Sequence, residues 1–181
     1  MSEPTDPFRA LGLEPRFDLS RQQIESAYLA RIAGAHPDHA GNTEPGTGPD
    51  AAALNDARRA LLSDERRANL VLAHLGGPSA SDNKDLPDGF LFEIMDVRTQ
   101  VEAAIGSGGD EERTKWQAWA DEQRAAYTAA IASLFERAHS DADPAQALTE
   151  ARRTLNAWRY IERLIEQLDP DYDPARADFT S

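Results

Sequence analysis

The spacing of apolar residues constrains this chain of 181 residues more than any other property. They recur every three to four positions along most of its length, and no β-branched run alternates as a half-buried strand would. The breaks between periodic stretches are short and built from Gly, Pro, Ser and Asp. An all-α fold follows, with helices that bury one stripe each and connections short enough to make neighbours antiparallel.

A short first helix is expected over residues 7–11, with Phe8 and Leu11 on its core side and Gly12 ending it. Ser20 and Gln23 form an S-x-x-Q capping box at the start of the second helix. Ile24, Ala27, Tyr28, Arg31 and Ala35 lie along one side of it, with Ile32 close by. It must stop near Ala35, because Pro37 clashes with helix continuation and biases His36 toward extended backbone. After a loop over 39–49, Asp50 caps a third helix carrying Leu54, Ala57, Leu61 and Leu62. A fourth runs from Asp64 to Leu75 and ends at Gly76-Gly77.

Residues 76–89, GGPSASDNKDLPDG, are polar and rich in helix breakers, as a linker would be. Three longer helices follow over about 88–105, 110–139 and 144–168. In the middle one Trp116, Ala120, Gln123, Tyr127, Ile131, Leu134 and Ala138 keep a heptad-like spacing, and in the last Leu148, Ala151, Leu155, Trp158, Ile165 and Leu168 do likewise. Core positions are expected for Trp116, Trp119 and Trp158. The expected organisation is therefore a helical domain over 1–75, a linker over 76–87, a three-helix bundle over 88–169 and a frayed tail over 170–181.

Composition narrows the functions. The net charge is −13, of which residues 1–77 carry eight basic against eleven acidic side chains and residues 78–181 eleven against twenty-one. A nucleic-acid binder needs a cationic surface to displace counterions from phosphates, so no nucleic-acid partner is expected. Basic or positively patched proteins suit this field better. No apolar run reaches the roughly 20 residues that span a bilayer, and the N-terminus MSEPTDPF has no signal-peptide pattern, so no membrane association and an intracellular, cytoplasmic setting are expected. Cysteine is absent, which excludes disulfides, thiolate chemistry and Cys-ligated metals on this chain. The histidines are His36, His39, His74 and His139.

Two of them flank the turn of AGAHPDHAGN, residues 33–42. His36 and Asp38 could in principle orient each other as an acid–base pair, but no serine or cysteine nucleophile stands in a recognisable motif. His36 and His39 could share a metal only if the segment were helical, which Pro37 opposes, and no second pair of ligands is apparent; neither metal nor cofactor is expected. Taken alone, the tripeptide is equally a turn in which Asp38 bonds its own backbone.

The surroundings of HPD add a resemblance. A short helix, a capped helix running into HPD, a loop and an antiparallel helix are the layout of a J-domain. With DPFRALGLEPRFDLS, AYLARIAGAHPDH, LNDARRALLSDERRANLVLAHLG, FLFEIMDVRTQVE and WRYIERLIEQL in order, the chain resembles the HscB family over nearly all of residues 6–169. The resemblance implies an L-shaped protein: an N-terminal J-domain, its helical hairpin joined by the HPD loop, and a C-terminal antiparallel three-helix bundle. It implies a co-chaperone and no enzyme. Its J-domain would dock on an HscA- or DnaK-type heat-shock ATPase through His36, Pro37 and Asp38, aided by Arg21 and Arg31, and stimulate ATP hydrolysis. Pro37 fixes the backbone so that Asp38 offers a preorganised carboxylate to a partner arginine. The chain departs from the J-domain pattern in its second helix, where only Arg21 and Arg31 are basic and Glu25 opposes them, and in His39 where Lys or Arg is usual.

The other end of the chain carries a second signal. Phe90, Ile94, Val97 and Val101 complete one buried stripe, yet Leu91, Phe92 and Met95 fall outside it. Pattern alone leaves a binding face open against two plainer readings, a helix that buries a wider arc or the N-terminal domain packing there. By resemblance, Leu91, Phe92, Met95, Asp96 and Tyr160 would bind an iron–sulfur scaffold of IscU type, so that the cluster belongs to the scaffold and this chain needs no cysteine. Thr99 stands where relatives often have an acid, and Arg98 either meets the client or pairs with Glu102. The rival readings are a co-chaperone with another client on the bundle, and a small helical acid–base enzyme using His36 and Asp38.

Overall fold

The structure, a computed structural model, describes residues 6–35, 51–107, 110–140 and 143–168. Among them the regular elements are all helices: α1 (Pro7–Leu11), α2 (Arg21–Ala35), α3 (Ala51–Leu62), α4 (Asp64–His74), α5 (Phe90–Ser107), α6 (Asp110–Ser140) and α7 (Ala145–Leu168). They form two compact units, Met1–His74 and Leu75–Ser181.

In the first unit, local chemistry sets the helix ends as the sequence predicts. Asp6 Oδ1 accepts from the Phe8 amide at 3.0 Å, with Pro7 in the first turn. Gly12 ends α1 with φ of +69°, and a Cβ there would meet the Arg31 guanidinium. The capping box is reciprocal: the Ser20 amide donates to Gln23 Oε1 at 2.8 Å and the Gln23 amide to Ser20 Oγ at 3.2 Å. Phe8, Ile24, Leu54 and Leu61 are fully buried.

α2 and α3 run antiparallel, as their cross-links demonstrate. Tyr28 Oη donates to Asn55 Oδ1 at 2.8 Å, and one turn earlier on α2 both Glu25 oxygens accept from Arg58, at 2.8 Å each, one turn later on α3. The Arg58 guanidinium also lies 5.1 Å from the Tyr28 ring centroid. The Arg58 hydrogen bonds hold the Glu25 carboxyl below the usual glutamate range. A depressed folded-state pKa means that the pair's contribution is present above the ordinary value of 4.5 and is lost as pH falls through the folded value. A carboxyl-carbon NMR titration should therefore place the Glu25 midpoint below 4.5, and Arg58→Ala should return it to the ordinary range; a wild-type midpoint at or above that value would show that the pair does not persist in solution.

One contact in this unit was not foreseen. Arg67, only 6 % exposed, donates from Nε to the Phe17 carbonyl at 2.8 Å, from Nη1 to the Leu61 carbonyl, and from Nη2 to Asp64 Oδ1 at 2.6 Å. Its guanidinium lies 5.2 Å from the Phe17 ring centroid. This one side chain joins the stretch before α2 to the α3–α4 corner. The far end of α4 meets the start of α1 through His74, whose Nε2 is 3.2 Å from Asp6 Oδ2 and whose ring meets Phe8 edge-on.

In the second unit, α6 and α7 pair antiparallel over their length: Arg124 with Glu162, Tyr127 stacked on Trp158 at 5.8 Å, and Arg137 with Glu150. Trp158 Nε1 donates to the same Glu162 at 3.0 Å. α5 runs beside the first half of α6, with Val101 and Trp116 in one buried cluster and Trp119 packed against it. Near the other end of that pairing, burial and then the Glu93 charge push the Tyr127 hydroxyl pKa up. The expected stripes are inside: Phe90, Ile94 and Val101 on α5, Trp116, Ala120, Ile131 and Leu134 on α6, and Leu148, Ala151, Leu155, Trp158 and Ile165 on α7. Phe135, Ile161 and Leu164 join them.

Residues 76–89 do more than link. Asn156 Nδ2 on α7 donates to the carbonyls of Asn83 at 3.0 Å and Asp85 at 2.9 Å, and Arg153 Nη2 donates to that of Leu86 at 3.4 Å. The polar stretch is hydrogen-bonded along α7, because its backbone carbonyls, freed by Pro and Gly from any helix, find side-chain donors there. α5 starts two residues later than its spacing suggests: Gly89 takes φ of +81° and its carbonyl accepts from the amides of Phe92 and Glu93. Residues 170–181 lie outside the described residues.

Candidate functional site

The two expected sites fare differently. His36, Pro37 and Asp38 lie outside the described residues. Of the residues expected to aid them, Arg21 and Arg31 are both exposed on α2, and the Arg31 guanidinium lies over Gly12 at the C-terminal end of α1, where a cation complements the helix dipole. Glu25 does not oppose these arginines as a free charge, since Arg58 takes up both its oxygens. Leu29, also on α2, is 62 % exposed.

The bundle site is described in full. Phe90 turns inward and its ring meets Tyr160 of α7 edge-on, centroids 5.9 Å apart. The three residues that fell outside the buried stripe face solvent: Leu91 is 52 % exposed, Phe92 85 % and Met95 67 %. Tyr160, 42 % exposed, stands at their edge through its contact with Phe90. Among the described residues five large apolar side chains are exposed, and these are four of them. The wider buried arc is thereby excluded, since a helix face in the core would not leave Phe92 in water.

The polar rim is made of local bonds. Arg98 donates to Glu102 at 2.8 Å, so it is engaged within α5. Thr99 Oγ1 bonds back to the Met95 carbonyl at 3.0 Å. Gln100 donates to Asp96 Oδ2 at 2.8 Å and holds that exposed carboxylate beside the apolar face. An apolar centre with a charged rim is the anatomy of a protein-binding surface. The described residues contain no group of three or more His, Asp or Glu side chains placed to hold a metal ion, and no described helix is long and apolar enough to cross a membrane.

Sequence reasoning missed the parts of α7 that surround this face. Asn156 lies one turn before Tyr160 and one turn after the buried Arg152, whose Nε donates to Asn156 Oδ1 at 2.9 Å.

Comparison with known proteins agrees with this architecture. Residues 86–169 match the family described as the HSCB C-terminal oligomerisation domain. A co-chaperone protein HscB homolog of Bordetella petrii is 26 % identical over 168 residues, covering 90 % of this chain and 94 % of that one. The chain resembles HscB co-chaperones over nine-tenths of its length, and its residues 86–169 carry their C-terminal domain. A second HscB homolog, from Burkholderia mallei, is 27 % identical over 90 % of this chain and 95 % of its own. The mitochondrial J-type co-chaperone jac1 of Schizosaccharomyces pombe is 31 % identical over 93 residues, half of this chain and 41 % of that one. Two solved HscB structures share the fold: the human protein, with a TM-score of 0.65 at 19 % identity over 92 % of this chain and 82 % of that one, and the Vibrio cholerae protein, with 0.62 at 22 % over 91 % and 95 %. The all-helical class expected from the apolar spacing is thus the class of the family.

Proposed function

We propose that this chain is a J-type co-chaperone of iron–sulfur cluster assembly, of the HscB kind. Its N-terminal unit stimulates a heat-shock ATPase of HscA or DnaK type through His36, Pro37 and Asp38, with Arg21 and Arg31 assisting the approach. Its C-terminal unit carries the scaffold protein, of IscU type, on Leu91, Phe92, Met95, Asp96 and Tyr160. The observation that carries the reading is the exposed apolar face on the unit that matches the HscB family. A face of this kind is stable in water only at a cost, and burial against a partner recovers it. Neither residue group does bond chemistry; the co-chaperone biases a two-state ATPase toward hydrolysis by binding one of its states better.

The test is a chaperone ATPase assay with the co-chaperone, with and without the scaffold. Wild type should raise the rate, the scaffold should raise it further, and His36→Gln should bring it back to near the basal value while the helical signal in circular dichroism is unchanged. A chaperone rate indifferent to the wild-type protein would refute the proposal.

A further inference from the structure

We infer that Asn156 is a positioning residue for the apolar face, holding the chain that leads into α5 so that Leu91 and Phe92 stay helical and presented. The inference rests on the proposed role of that face. Leu91 and Phe92 occupy the first turn of α5, where backbone amides lack intrahelical partners and helices fray. The turn before it is made by Pro87, Asp88 and Gly89, with the Phe90 amide donating to the Pro87 carbonyl at 3.2 Å. The Phe92 and Glu93 amides bond to the Gly89 carbonyl of that turn, so the order of the first turn depends on what grips the residues ahead of it.

The grip comes from one face of α7. Arg152, Asn156 and Tyr160 succeed one another at intervals of four, with Arg153 adjoining, and so lie along the same side of the helix. Tyr160 takes the Phe90 ring. Asn156 uses both halves of its amide: the nitrogen donates to Asn83 and Asp85, and the oxygen accepts from Arg152, itself nearly buried. That last bond sets the orientation of the amide, because only the nitrogen can then face the two carbonyls. Arg153 adds the Leu86 carbonyl. The strap and the face are consecutive stretches of chain on the same support, and a partner meeting a pre-ordered first turn escapes the entropic cost of ordering it.

The experiment compares Asn156→Leu, Asn156→Asp and Asn156→Gln with wild type in the full chain, measuring scaffold affinity by calorimetry and amide hydrogen exchange by mass spectrometry. Leu removes every bond, Asp keeps the acceptor for Arg152 but loses both donors, and Gln keeps the amide. Leu and Asp should weaken scaffold binding about tenfold and speed exchange in residues 83–93, with α6 unaffected; Gln should recover most of the affinity. Arg153→Met, which cuts the strap from its other anchor, should act in the same direction if an Asn156 variant fails to fold. Faster exchange with unchanged affinity would overturn the inference, and so would unchanged exchange. Failure of the face itself is read separately, from alanine substitutions at Leu91, Phe92 and Met95 that leave binding intact.

Discussion

Replacing Leu91, Phe92 and Met95 together by alanine should weaken scaffold binding about a hundredfold or more while the protein stays folded. The two halves of this expectation have one cause. These side chains are more than half exposed, so their truncation removes little that the fold relies on, whereas a partner would bury them. Full burial of a large apolar side chain is worth about 1.5–3 kcal/mol, and even with part of it already covered, three adjacent side chains at the centre of an interface exceed the threshold of hot-spot behaviour. Isothermal titration calorimetry gives the affinity, and thermal unfolding by circular dichroism gives the control, where a shift of only a few degrees is expected. Unchanged affinity would return this face to some other use; collapse of the fold would mean that it packs on something within the chain. Phe92, the most exposed, should account for the largest single share.

Arg67→Met should cost about 3 kcal/mol of folding stability. Methionine retains the length and apolar stem of the side chain but none of its donors. The Phe17 carbonyl, the Leu61 carbonyl near the end of α3, and Asp64 then all lose their charged partner. The Leu61 carbonyl matters most, because terminal helix carbonyls have no intrahelical donor. For a unit of this size, a loss of that order lowers the melting temperature by about 10 °C or more. Arg16→Met is the natural control: Arg16 pairs with Asp18 at 2.7 Å on an exposed surface, and exposed pairs contribute about 0–1 kcal/mol. Urea denaturation compares the two, and a loss below about 1 kcal/mol for Arg67→Met would place that arginine among ordinary surface residues.

Arg67 also marks where sequence reasoning stops. Helix existence, type and approximate limits were legible because they follow from local patterns: the Ser20–Gln23 box, the Gly12 stop, the Phe90–Ile94–Val101 stripe. Even the exposed face was half legible, since Leu91, Phe92 and Met95 were surplus to a stripe that was already complete. Arg67 was not, because its value lies in a carbonyl fifty residues away and no periodicity records such a bond. Asn156 was missed for the same reason: its partners are seventy-one and seventy-three residues distant, in a stretch whose composition suggested freedom. Apolar contacts leave a repeating trace in sequence; long-range polar contacts to backbone leave none. The HPD site, by contrast, rests on its motif and on its place between α2 and α3.

The cross-links between α2 and α3 have a consequence for how such a chain can vary. Tyr28–Asn55 and, one turn farther from the loop, Glu25–Arg58 fix the two helices to each other. The entropy of closing a loop grows only logarithmically with its length, about 0.6 kcal/mol for each doubling. With the two helices held together by these bonds, residues added to the connection between them cost little. The length of that connection is therefore free to vary without disturbing the helices that bear it.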